Sequence, residues 1–106
     1  MAALGDIFLS SFPFTSGQFS KTRPVLVLMD LGSDCLICRV TSATYSGPLE
    51  IQLADWQQAG LLKPSVARLT RLVTAEKSLL QSKIGRLSAL DLEAVKRAWN
   101  QHMRLG

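Results

Sequence analysis

The stretch Lys21-Thr22-Arg23-Pro24-Val25-Leu26-Val27-Leu28-Met29-Asp30 joins a charged lead-in to the most apolar run in the chain. Proline fixes its own φ and pushes the residue before it into extended backbone, so Arg23 has little conformational freedom. Proline is tolerated as the first residue of a strand but not in its middle. The stretch therefore reads as a strand entering the core with an arginine held stiffly at its mouth. Residues 25–29 are continuously apolar rather than alternating, which predicts a strand covered on both faces.

Immediately downstream, Leu31-Gly32-Ser33-Asp34 is a short turn, so residues 35–41 should return antiparallel as a hairpin. Two registers are open. If Asp30 pairs with Cys35, Arg23 falls opposite Ser42; if Asp30 pairs with Asp34, Arg23 falls opposite Thr41. Directly opposed residues lie ~5 Å apart on one face, and a one-residue slip exchanges the faces. A bulge would shift either register. Both bring Arg23 level with residues 41–42.

Cys35 and Cys38 form a CxxC on this returning strand. Positions three apart on a strand point to opposite faces, roughly 10 Å from each other, too far for a disulfide. No second Cys or His pair exists to complete a zinc site. The two read as core or half-buried thiols.

Upstream, residues 5–12 read as a first strand, ended by Pro13, and residues 14–22 as a polar, glycine-punctuated loop. Downstream, residues 50–53 alternate as a half-exposed strand, and residues 55–60 read as one helical turn with Asp55 as N-cap and Gly60 as terminator. Residues 65–73 form another expected strand, and Thr74 caps a short expected helix to residue 80. Residues 83–87 then connect to the clearest helix. There Ser88 and Asp91 resemble a capping box, and Leu92, Val95, Ala98, Trp99 and Met103 recur at helical spacing. The residues thus predict one mostly β domain over 1–106, a small curved sheet or barrel with a C-terminal helix.

With 106 residues, 47% hydrophobic and 19% charged, the chain can bury a single core and shows no sign of disorder. No apolar run approaches the ~20 residues a membrane span needs. The N-terminus carries neither a basic region nor an apolar signal core, and a cytoplasmic location is expected. The net charge is +4, and residues 63–86 carry Lys63, Arg68, Arg71, Lys77, Lys83 and Arg86 against Glu76 alone. Such a run is either the footprint of a polyanion such as RNA or a solvated surface.

In order along the chain stand Gly5-Asp6-Ile7, Phe12-Pro13-Phe14-Thr15, Lys21 through Leu28, Val40-Thr41-Ser42, Gly60-Leu61-Leu62-Lys63-Pro64-Ser65 and Lys83-Ile84-Gly85-Arg86-Leu87-Ser88. In that order and spacing they resemble the MazF/PemK family of toxins from bacterial type II toxin–antitoxin systems, over nearly the whole chain. The resemblance implies an SH3-like β-barrel with a C-terminal helix, usually a homodimer. It implies an endoribonuclease that cuts single-stranded mRNA at short sequences, independently of ribosomes and of any metal or cofactor. A cognate antitoxin would block it by laying a peptide over the RNA groove. The family's catalytic arginine and threonine fall on Arg23 and Thr41. RNA contacts are expected from Gln18, Lys21, Arg39 and Ser42, with a surface ion pair the competing reading for Arg39. The loop before Arg-Pro departs from the family's common Gly-x-Glu-Gln pattern: Ser16-Gly17-Gln18-Phe19-Ser20 keeps the Gln and lacks the Glu. His102, near the end of the terminal helix, reads as a surface residue, and the general base is left unassigned. A non-cleaving nucleic-acid-binding module and a gyrase-directed toxin of the same architecture are the competing functions.

Overall fold

In the computed structural model, which describes residues 2–11 and 22–105, strand β2 (Arg23–Leu31) is the middle of the molecule. It pairs antiparallel with β1 (Asp6–Ser10) on one side and β3 (Asp34–Thr41) on the other. Residues 25–28 are buried on both faces, as the unbroken apolar run predicts, but Met29 is half exposed. Leu26 and Leu28 join the main core with Cys38, Val40 and Leu69, while Val25 and Val27 join a second cluster with Cys35 and Ile37. Each such side chain contributes about 1.5–3 kcal/mol on burial. The two thiols therefore sit on opposite faces of β3. Burial pushes both up from the ordinary thiol pKa, away from a reactive thiolate.

β3 also pairs with the long strand β5 (Val66–Glu76), which carries the short β4 (Glu50–Gln52) on its far side. The remaining strand, β6 (Leu80–Arg86), runs along β1 and completes the order β4-β5-β3-β2-β1-β6. This strand corrects the expectation of a short helix to residue 80 followed by a connector. Only one 3₁₀ turn, Lys77–Leu79, separates β5 from β6, and Thr74 lies within β5, opposite Leu36. Tertiary pairing wins because β3 offers partners as far as Asp34, which faces Glu76.

The ladder is open between β4 and β6, and the turn after β4 fills that gap. In it Leu61 N donates to the Trp56 carbonyl (3.1 Å) and Gly60 N to that of Gln57 (3.1 Å), with Gly60 at φ +87°. These are the paired bonds of a Schellman stop, so Gly60 terminates the turn as expected. Its start is capped from elsewhere: the Asp91 carboxylate accepts from the amides of Ala54 (2.9 Å) and Asp55 (2.8 Å). Half of the expected capping box is present, since Ser88 Oγ accepts from Asp91 N (3.2 Å) and opens helix α1 (Ala89–His102). The other half is redirected, and buried Asp91 ties the helix to the turn. Along α1, Val95 and Ala98 are buried and Leu92 and Trp99 pack at the core margin.

Buried Asp6 fastens β1 to β6. Its carboxylate accepts from Ala3 N (2.9 Å) and meets Arg86 Nη1 (2.7 Å) and Lys83 Nζ (3.2 Å). Burial opposes the charge, but the Ala3 amide and the two cations outweigh it and hold the carboxyl below its ordinary value. A lowered folded-state pKa gives stability that is present above the unfolded value, about 3.9, and is lost as pH falls through the folded one. Asp6→Asn is expected to lose about 2 kcal/mol at pH 7, with the deficit narrowing as pH falls below about 3.9. Urea melts of both proteins from pH 7 to 2.5 measure it; a deficit constant with pH would remove the linkage.

Candidate active site

The β2–β3 hairpin decides which groups meet at its open end. Next to the turn, Leu31 faces Asp34 and Asp30 faces Cys35; beyond an irregularity at Leu28, Val27 faces Ile37 and Val25 faces Arg39. Both registers open to the sequence therefore occur, one on each side of a bulge. Continued past Arg39, the second register sets Arg23 level with Thr41, with Ser42 next along.

Arg23, Thr41 and Ser42 line one cavity of about 520 Å³ at the strand ends. Leu9, Pro24, Val40, Leu61 and Ile84 give it apolar lining, and Leu62, Lys63 and Ser65 also line it. Arg23 is exposed and has no carboxylate partner among the described residues, so its planar fork is available to a ligand. Thr41 Oγ1 accepts from Ala43 N (3.2 Å), which orients the hydroxyl and leaves its hydrogen as a donor. Among the described residues no carboxylate or histidine lines the cavity, and exposed His102 stands at the end of α1, apart from it.

Arg39 is not brought to the cavity. It lies half-buried on β3 between Val25 and Arg68, and its Nε is buried without a hydrogen-bond partner. The nearby acid is already committed. Glu50 takes Arg68 Nε (3.0 Å), Arg68 Nη2 (3.3 Å) and Thr70 Oγ1 (3.0 Å), while the Arg68 guanidinium lies 3.6 Å from the centre of the Tyr45 ring. The hydrogen bonds to Glu50 keep Arg68 firmly charged. Gln18 and Lys21, also expected at the site, lie outside the described residues.

The basic run at 63–86 resolves into individual fates. Arg68 is held by Glu50, Lys77 by Asp30 (2.6 Å), and both Lys83 and Arg86 by Asp6. That leaves Lys63 and Arg71 without a carboxylate among the described residues, and of these two Lys63 lines the cavity. Most of the run is therefore internal charge compensation. Lys63 is the site residue that charge counting registers without singling out.

Known structures share this architecture. The Mycobacterium tuberculosis toxin MazF-mt6 superimposes with a TM-score of 0.76 at 22% identity, covering 95% of this chain and 98% of that one. A mycobacterial endoribonuclease solved with its cognate antitoxin gives 0.77 at 14% identity, over 100% and 98% of the two chains. MazF from Deinococcus radiodurans gives 0.70 at 20% identity, over 97% and 96%. These likenesses show the fold. No curated protein sequence matches the chain. The family model of PemK-like, MazF-like toxins matches residues 3–103, nearly the whole length. The chain belongs to the PemK-like, MazF-like toxins of type II toxin–antitoxin systems.

Proposed function

We propose that this toxin is an endoribonuclease that cleaves single-stranded mRNA at the Arg23–Thr41 cavity, without a metal ion. The observation that carries the reading is that a guanidinium with no carboxylate partner among the described residues and an oriented hydroxyl line one cavity. The substrate's own 2′-oxygen attacks the adjacent phosphorus. A 2′-O–P bond forms, the P–O5′ bond breaks, and a proton passes in net from the 2′-OH to the departing 5′-oxygen. The products are a 2′,3′-cyclic phosphate and a 5′-OH end. The planar fork of Arg23 meets two non-bridging oxygens at once. Thr41 adds a preorganised hydrogen bond to the charge growing on them.

Ser42, beside Thr41 in the cavity, belongs in this reading to the path of the flanking RNA, together with Arg39, Gln18 and Lys21. Family membership and the antitoxin-bound mycobacterial relative support a cognate antitoxin as protein partner. The reading includes a homodimer working in the cytoplasm, where mRNA is met; no helix among the described residues is long and apolar enough to cross a membrane.

Purified chain incubated with varied single-stranded RNAs in EDTA tests the proposal. Discrete cuts bearing cyclic phosphate ends are expected, and Thr41→Val is expected to slow them about 10²-fold, the worth of one such donor. No cleavage across diverse sequences would move the chain to RNA binding or to a protein target such as gyrase. Cutting that vanishes in EDTA would refute the metal-free chemistry.

A further inference from the structure

The cavity's second wall is the segment 60–65, and it is built more rigidly than a surface loop needs to be. Leu61 is buried in the main core and its amide is bonded to Trp56, as described above. Ser65 is buried, its Oγ donates to the Lys63 carbonyl (2.8 Å), and its own carbonyl accepts from Leu53 N (3.0 Å). Pro64 restricts φ between these anchors. Gly60 lies so close to the Ile84 carbonyl that a Cβ would collide with it. The backbone of Leu62 and Lys63 is thereby fixed at the mouth, while both side chains are left in water. Leu62 is 93% exposed, although its neighbour Leu61 is 7% exposed. Among the described residues Lys63 has no carboxylate partner, whereas Arg68, Lys77, Lys83 and Arg86 of the same basic run each have one.

We propose that this loop is the second substrate-binding wall of the site: Lys63 binds the RNA phosphate next to the one being cleaved, and Leu62 packs against a nucleobase. The proposal rests on the reading of the cavity as an RNA-cleaving site. Arg23 and Thr41 line the same cavity and take the scissile phosphate between them. An ammonium on a fixed backbone in that cavity meets the next charge along the strand, the point-charge role to which lysine is suited. A leucine held in solvent beside it offers apolar contact that tolerates any base.

The experiment uses an oligodeoxynucleotide with one ribonucleotide at the mapped cut site, so that a single bond is cleavable. Each flanking phosphate is then replaced in turn by an uncharged methylphosphonate. In the parent chain one replacement is expected to lower kcat/KM about tenfold, the scale of one charge-assisted contact. Lys63→Gln is expected to lower kcat/KM about tenfold on the intact substrate and to lose its response to that replacement, while Lys63→Arg recovers most of both. Leu62→Ser is expected to raise KM a fewfold, on the order of the loss of one small apolar contact, and to keep the methylphosphonate response. Lys63→Gln with unchanged kcat/KM, or with the same methylphosphonate penalty as the parent, overturns the assignment while leaving Arg23–Thr41 cleavage standing. A parent chain that cuts no RNA at all overturns both.

Discussion

Arg23→Ala is expected to cut single-stranded RNA at least about 10³-fold more slowly than the parent, a loss of roughly 4 kcal/mol of transition-state stabilisation. It is expected to fold and melt as the parent does. Arg23 is exposed at the first position of β2, buries little, and has no carboxylate partner among the described residues, so its removal breaks no packing. Arg23→Lys separates charge from geometry. The ammonium keeps the charge but lacks the fork that meets two phosphoryl oxygens together, and an intermediate loss of about 10–100-fold is expected. The comparison is single-turnover cleavage of one oligonucleotide by the three proteins, with thermal melts alongside. Lysine as good as arginine would mean that the site uses only a diffuse positive field. Alanine as good as arginine would remove Arg23 from the chemistry.

The juxtaposition behind that prediction is legible in the sequence, because both hairpin registers open to it lead to residues 41–42. What could not be read was that both are used. Leu28 looks like its apolar neighbours and carries no glycine or proline to mark the bulge where one register gives way to the other. β6 is hidden in the sequence for a related reason. Leu80-Gln81-Ser82-Lys83-Ile84-Gly85-Arg86 alternates weakly, stays largely exposed at a sheet edge, and finds its partner β1 70 to 80 positions upstream. The capping role of Asp91 was read locally, whereas its carboxylate serves a turn 36 and 37 residues away. Lys63 shows the same limit at the site. As one cation in a basic run it cannot be told from Lys83, and only the folded chain assigns Lys83 to Asp6 and leaves Lys63 at the cavity.

That cavity wall depends on a contact between two glycines, and Gly60→Ala should expose the dependence. A Cβ on Gly60 would collide with the Ile84 carbonyl, and one on Gly85 with the Ala59 carbonyl, so the turn after β4 and strand β6 touch backbone to backbone. Neither obstacle is a flexible side-chain end; something in the main chain must move. Gly60 also sits at φ +87°, which an L side chain tolerates at a cost of about 1–2 kcal/mol. Overpacking adds about 1–3 kcal/mol, so Gly60→Ala is expected to lose about 3–4 kcal/mol and roughly 15 °C in Tm. Gly32 provides the internal control, because its φ of +91° is nearly the same but nothing lies within 4 Å of a Cβ there. Gly32→Ala should therefore show the conformational part alone, about 1–2 kcal/mol. Gly85→Ala isolates the collision, having no positive φ, and is expected to cost about 1–3 kcal/mol. The functional consequence follows from what Gly60 adjoins: forcing the turn away from β6 displaces the segment that carries Leu62 and Lys63. At temperatures where both variants remain folded, Gly60→Ala and Gly85→Ala should lower kcat/KM for RNA while Gly32→Ala does not. Equal melting losses at Gly60 and Gly32 would mean that the gap between β4 and β6 is looser than the backbone contact requires, and the wall would then owe its position to Leu61 and Ser65 alone.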